Sequence, residues 1–356
     1  MLTVFYVLIA ILLFGFLIAI HEFGHFMVAK LCGIQVNEFS ICMGPKLFSK
    51  KVGETVYSLR CIPIGGYCAM EGEDEESENP RAFTRAKVWK RLLVLAAGSF
   101  MNFVVGLLMV VLFVSLVDLT GDNRLPSKQI SGFLEDCPYE SADAFQVGDE
   151  LYSVDGERIY IRQDFEMMLE RNATHVYDIV VLRNGEKVEL KKLKLEKQDY
   201  NGGKYYGFLI PTEAKTVGSV LSYAWNTARD FTRLVRLGLQ DLLTGKAGMK
   251  DMSGPVGVVS IVADAGASAE TVRLGIENVL YLFAFIAINL AVMNMLPLPA
   301  LDGGRIFLLL VTSLIERITR KKVNPKYEGY IHAVGMVLLL ALMALITFKD
   351  VFNIFK

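Results

Sequence analysis

Four stretches of this 356-residue chain run for about twenty residues or more without Asp, Glu, Lys or Arg: 1–20, 92–117, 279–301 and 329–348. A helix needs roughly 20 mostly apolar residues to cross about 30 Å of hydrocarbon, so each stretch is long enough to span a membrane. The first lacks a basic leader, and no small-residue cleavage site precedes His21; it reads as a permanent span rather than a signal peptide. Hydrophobic residues make up 53% of the chain and the net charge is −1, which excludes a disordered protein and a basic nucleic-acid-binding domain. The five cysteines are scattered without a C-x-x-C pair, so neither a zinc ribbon nor a disulfide framework is indicated.

Orientation follows from Lys and Arg beside the spans. Residues 30–91 hold ten: Lys30, Lys46, Lys50, Lys51, Arg60, Arg81, Arg85, Lys87, Lys90 and Arg91. Between the third and fourth spans lie Arg305, Arg317, Arg320, Lys321, Lys322 and Lys326. Both loops are therefore expected on the cytoplasmic side, with both termini and the long segment between spans two and three outside. That segment divides. Residues 118–212 alternate apolar and polar residues in short runs, with an Asn184-Gly185 hairpin turn and a short helix at 164–171, as expected of a small β-rich globule. From Val217 to Leu243 apolar residues recur at helical spacing among Arg229, Asp230, Arg233 and Arg236, which predicts an amphipathic helix.

The first span ends in His21-Glu22-Phe23-Gly24-His25. Residues four apart share a helix face, so two imidazoles converge on one Zn²⁺, with Glu22 beside them as base for the attacking water. Ionisable groups flush against an apolar run are costly and usually functional. A third ligand is needed. Two residues reach the same membrane depth: Asp302, which follows the helix-breaking Pro297 and Pro299 and precedes Gly303-Gly304, and His332, near the start of the fourth span. Asp302 has the better context, and His332 reads as an interfacial polar residue. His175 falls on the opposite side.

These residues resemble the site-2 protease family of intramembrane zinc metalloproteases, and most closely its bacterial regulator-of-sigma-E type. The likeness rests on His-Glu-Phe-Gly-His and on the run from Asn294 through Pro297 and Pro299 to Asp302-Gly303-Gly304. It extends to Pro63-Ile64-Gly65-Gly66-Tyr67, Ala97-Gly98-Ser99-Phe100-Met101-Asn102-Phe103 and Gly254-Pro255-Val256-Gly257. Residues 145–156 resemble part of a PDZ domain. Cys42-Met43-Gly44 departs from the family's G-x-G in the loop after the first span.

The resemblance implies a multi-pass protein of the bacterial cytoplasmic (inner) membrane: four transmembrane helices, a membrane-associated β-hairpin sheet and one extracytoplasmic PDZ-like β-rich domain. Its parts would be 1–117, 118–212, 213–275 and 276–356. It implies Zn²⁺ held by His21, His25 and Asp302, Glu22 as catalytic base, and Asn294 and Asn289 as substrate-binding residues. Substrates would be single-span membrane proteins such as anti-sigma factors or remnant signal peptides, already trimmed by a site-1-type protease, with the PDZ-like domain as a size filter. The helix at Val217–Leu243 and a turn at 254–257 would form a gate. Residues 34–68 alternate as short strands with turns at Gly53-Glu54 and Gly65-Gly66; their open edge would add the unwound substrate as an extra strand. The competing classes are a zinc enzyme with a non-peptide substrate, for which four histidines are too few in the desaturase case, and a zinc-containing membrane scaffold or transporter subunit without hydrolytic activity.

Overall fold

The computed structural model describes residues 2–354 except 74–76, 120, 142, 201, 249 and 322–324, and at 63, 64, 325–328, 353 and 354 it describes the backbone alone. Lys322 and part of the acidic run at 71–78 thus lie outside the described residues. In chain order the elements are α1 (Leu2–Leu31), β1 (Val36–Val52), β2 (Thr55–Met70), α2 (Val88–Leu116), β3 (Arg124–Pro126), β4 (Gly132–Phe133), β5 (Glu150–Val154), β6 (Glu157–Arg158), α3 (Arg162–Glu170), β7 (Val176–Arg183), β8 (Glu186–Lys194), β9 (Gln198–Tyr200), β10 (Gly203–Tyr205), β11 (Phe208–Leu209), β12 (Thr212–Ala214), α4 (Val217–Leu243), α5 (Pro255–Ala267), α6 (Val272–Asn294), α7 (Asp302–Thr319) and α8 (Pro325–Ile354). Among the described residues four helices are long and apolar enough to cross a membrane: α1, α2, α6 and, within α8, Gly329–Phe352. The chain forms two compact units, residues 1–109 with 234–356, and residues 110–233.

In the first unit α1 continues eleven residues past its apolar run and stops before Gly33 (φ +77°). There the Ile34 amide donates to the Ala29 carbonyl (2.9 Å) and the Gly33 amide to that of Lys30 (3.1 Å), the pair of bonds that closes a helix on a left-handed residue. The turn delivers Ile34 and Val36 into a core with Ala29, Phe39, Cys68, Met70, Phe83, Val94, Leu95 and Leu309. Parts of α1, β1, β2, α2 and α7 are thereby packed together around the end of α1.

β1 and β2 form one long hairpin through Gly53-Glu54. The expected turn at Gly65-Gly66 is instead strand: Gly66 pairs with Ile41, because bulges at several points let each strand bend and continue. Residues 38–41 face 66–69 on one side and 56–59 on the other, and 56–60 pair again with 46–51. Among the described pairings, 66–70 has a partner on one side only.

The third apolar stretch, 279–301, breaks at its prolines as expected. α6 starts earlier, at Val272, and ends at Asn294. Residues 295–301 form a non-helical corner, since Pro297 and Pro299 supply no amide hydrogens for a helix. The corner folds back on the start of α7 so closely that a Cβ on Gly303 would lie 2.3 Å from the Met295 carbonyl, and one on Gly304 2.0 Å from that of Leu298. Only glycine fits at either position. The segment after Gly254, expected as a turn, is the helix α5, with Pro255 in its first turn. Its opening amides at Gly254 and Gly257 donate to the buried Asp350 carboxylate of α8 (2.8 and 2.9 Å).

The second unit is β-rich. Its largest sheet has the order β6-β5-β7-β8, and the antiparallel pairs β3–β12, β4–β11 and β9–β10 accompany it. The expected turn joins β7 and β8: Asn184 (φ +53°) and Gly185 (φ +84°) both take left-handed backbone, as a two-residue hairpin of this hand requires. Phe145, Leu151, Ile159, Phe165, Leu169, Ile179 and Val181 fill its core. The expected helix at Val217–Leu243 is α4. Within this unit its buried Arg233 pairs with Asp230 and, at 3.2 Å, with Asp164 of α3.

Candidate metal centre

His21 and His25 occupy one face of α1 one turn apart, with ring centroids 4.8 Å apart. α2 packs directly behind them: a Cβ on Gly98 would lie 2.5 Å from His25 Nε2 and 2.7 Å from His21 Cε1. Asp302 arrives as the first residue of α7, placed by the corner that the prolines create. Its Oδ2 lies 3.1 Å from His21 Nε2 and 3.3 Å from His25 Nε2, and the two Nε2 atoms are 3.2 Å apart. Among the described residues this is the one group of three His, Cys, Asp or Glu side chains so gathered.

Hydrogen bonds fix what those three atoms are. His25 Nδ1 is 2.8 Å from the Val94 carbonyl. A carbonyl only accepts, so Nδ1 holds a proton, and in the neutral ring Nε2 then presents a lone pair. His21 Nδ1 is 3.5 Å from the side-chain amide of Asn102, which is fully buried and whose Oδ1 has no partner. Exchanging the amide's nitrogen and oxygen gives that orphaned oxygen the His21 Nδ1 proton and leaves a second lone pair on Nε2. Asp302 Oδ2 is likewise buried without a hydrogen-bond donor. With both rings neutral, three lone-pair atoms face one another, which is the donor set a cation requires. The edges of a tetrahedron around an ion with 2.0–2.1 Å bonds are about 3.3 Å. Edges of 3.1, 3.2 and 3.3 Å match one face of it. The residues fit a zinc ion.

Glu22 lies beside this triangle and next to the hairpin: its Cγ is 3.6 Å from where a Cβ on Gly66 would stand. The open strand 66–70 thus begins at Glu22. Arg60 laces the bent hairpin together, donating to Glu38, Ser40, the Gly44 carbonyl and Tyr67. Burial acts to raise the Glu38 carboxyl, but hydrogen bonds from Ser58, Tyr67, Arg60 and Lys46 outweigh it and hold it at about 2. Arg305 of α7 pairs with Glu73, just past β2, and so links the exit of the hairpin to the turn that bears Asp302.

Asn294 closes α6 and Asn289 lies on the same helix; both are half-buried, and no hydrogen bond joins either to His21, His25 or Asp302 among the described contacts. His332 of α8 approaches the corner at Ala300 rather than the triangle. His175 belongs to the second unit. Asn102 and the Val94 carbonyl were not selected from the sequence. For Asn102 the signal was present: a carboxamide in the middle of an apolar span needs a partner.

Comparison with known proteins agrees with this geometry. The chain matches peptidase family M50 over residues 9–342. It is 36% identical over 349 residues to a protein of Clostridium perfringens whose name provisionally assigns it to the zinc metalloproteases, covering 97% of this chain and 98% of the relative. It is 28% identical to the regulator of sigma-W protease RasP of Bacillus subtilis and 29% to the zinc metalloprotease RasP of Oceanobacillus iheyensis, in both cases over 97% of this chain and 98% of the relative. A match that takes in both the helix of His21 and His25 and the corner of Asp302 leaves one conclusion: the chain belongs to peptidase family M50, the site-2 proteases.

Proposed function

We propose that this protein is an intramembrane zinc metalloprotease that hydrolyses a peptide bond in or near the transmembrane segment of single-span membrane proteins. The observation that supports this most directly is the buried convergence of two imidazole nitrogens and one carboxylate oxygen at 3.1–3.3 Å, reached from a helix long enough to span a bilayer. In this reading His21, His25 and Asp302 hold the zinc. Three protein ligands leave a tetrahedral ion one open position, which favours catalysis over a closed structural site and hence a hydrolase over a scaffold.

Zinc held by these three residues would polarise the scissile carbonyl and acidify the attacking water. Glu22 takes the proton from that water and returns it to the leaving amine. Asn102 and the Val94 carbonyl hold the two imidazoles in the tautomer that leaves Nε2 free. A substrate helix must unwind before its peptide bond is accessible, and its freed amides need partners. The one-sided strand 66–70 offers them, adding the substrate as a further strand that leads past Glu22. Asn294 and Asn289 would bind substrate from α6. The β-rich unit would be a PDZ-like extracytoplasmic filter that admits stubs already shortened by a site-1-type protease, among them anti-sigma factors and remnant signal peptides; the name of the Bacillus subtilis relative supports the sigma-factor branch of this reading. Both termini would face outward and the active site the cytoplasmic side of the inner membrane.

The test is Glu22→Gln in detergent-purified full-length protein, with zinc content and cleavage of a labelled transmembrane peptide read together. Zinc should stay near one per chain while cleavage falls at least about 100-fold, the range of general acid–base catalysis. Retained cleavage would remove Glu22 from its role. Loss of zinc together with the fold would favour the scaffold.

A further inference from the structure

α8 is the most exposed of the four membrane-length helices, with only 6% of its apolar window buried. It nonetheless makes one close approach to the corner before Asp302. The Ala300 amide donates to His332 Nδ1 at 3.4 Å. Three residues along the same helix, Gly335 lies against Pro299 so tightly that a Cβ there would fall 2.1 Å from the Pro299 Cβ. Ala300 itself has φ +79°, a left-handed backbone that a residue with a Cβ adopts only where its surroundings hold it. Asp302 follows two residues later, already inside α7. The strained corner is thus held from two sides, by the start of α7 through Gly303 and Gly304 and by α8 through Gly335 and His332. A polar side chain on a lipid-exposed apolar helix is costly unless it has such a task.

We propose that His332 is a positioning residue for Asp302: its Nδ1 accepts the Ala300 amide, holds the corner in its left-handed turn, and so aims the carboxylate at the two imidazoles. This rests on the reading of His21, His25 and Asp302 as zinc ligands. It also reassigns His332, which the sequence alone suggests is a plain interfacial residue. The imidazole must be neutral with its proton on Nε2, since a protonated Nδ1 cannot accept.

Two substitutions separate the acceptor from the ring. His332→Phe keeps an aromatic ring of similar shape and removes the acceptor. His332→Asn loses the ring but places Oδ1 where Nδ1 stood. Zinc affinity is measured by competition with a chromophoric chelator on the full-length protein, with a thermal melt alongside. The expected result is a zinc dissociation constant raised about 10-fold or more for His332→Phe, the usual effect of losing a group that orients a ligand, and within about threefold of wild type for His332→Asn. A role in packing alone gives the reverse order. If His332→Phe does not fold, His332→Ala takes its place, and equal affinities for Ala and Asn overturn the proposal. Zinc held by the Phe variant as tightly as by wild type overturns it too, with the metal reading intact. Wild-type protein that takes up no zinc overturns both together.

Discussion

Gly98→Ala isolates the space behind the two histidines. The added methyl would stand 2.5 Å from His25 Nε2, 2.7 Å from His21 Cε1 and 2.8 Å from His21 Nδ1. The first of these is about 0.9 Å short of the 3.4 Å at which ordinary contact begins. The helices cannot simply part, because α2 also bears Val94 and Asn102, which hold the same two rings by hydrogen bonds. The rings must therefore move by an amount several times the roughly 0.2 Å tolerance of a zinc–ligand distance. Effects on the fold oppose one another: alanine is favoured over glycine inside a helix by about 1 kcal/mol, while overpacking costs about 1–3 kcal/mol. The net change in stability is small, whereas coordination is lost. Zinc content by mass spectrometry and cleavage of a labelled transmembrane peptide should both collapse, while the melt compared in the zinc-free state shifts little. Gly238→Ala in α4, where nothing lies within 4 Å of the added carbon, is the control and should leave zinc content unchanged. Stoichiometric zinc at wild-type affinity in Gly98→Ala would refute the placement of the histidines against α2.

Asn102→Ala should weaken zinc binding about 10- to 100-fold by releasing His21 from its tautomer; an unchanged dissociation constant would remove Asn102 from the site. Asp350→Ala strips the acceptor from the opening amides of α5, so hydrogen exchange at Gly254 and Gly257 should accelerate, and unaltered protection there would show that the cap is dispensable. In the second unit burial, and then the Asp164 carboxylate, lift Asp230 to about 7 against the opposing pull of Arg233. The folded state thus keeps a proton that the unfolded state releases near pH 4. This contribution to stability is present at low pH, falls as pH rises toward 7, and is lost above it, at about 1.4 kcal/mol for each unit of separation. Thermal stability should therefore decline from pH 5 to 8 in wild type and less in Asp230→Asn; parallel profiles would count against a protonated Asp230.

What could be read from the sequence was what depends on near neighbours. Apolar length marked the four membrane-length helices, the 3.6-residue period marked α4 from Val217 to Leu243, Asn184-Gly185 marked its hairpin, and the four-residue spacing put His21 and His25 on one face. Hydropathy alone could not mark where α6 stops, because residues 295–301 are as apolar as the helix before them; the missing proline amides and the contact with Gly303 and Gly304 decide it. Gly254-Pro255 has the composition of a turn, and it opens a helix because Asp350, 96 residues away, supplies the cap. Gly65-Gly66 stays in strand because Ile41 pairs with it across the hairpin.

The sequence by itself determined the candidate donors, since residue type fixes which atoms can bind a metal, and a helix fixes two of them relative to each other. Only the tertiary structure decided their state. The His25 Nδ1 meets a carbonyl 69 residues away, the His21 Nδ1 an amide 81 residues away, and Asp302 follows a corner packed against another helix. Hydrogen bonds between distant segments have no periodicity along the chain, so their partners become identifiable only once packing has brought them to the same depth.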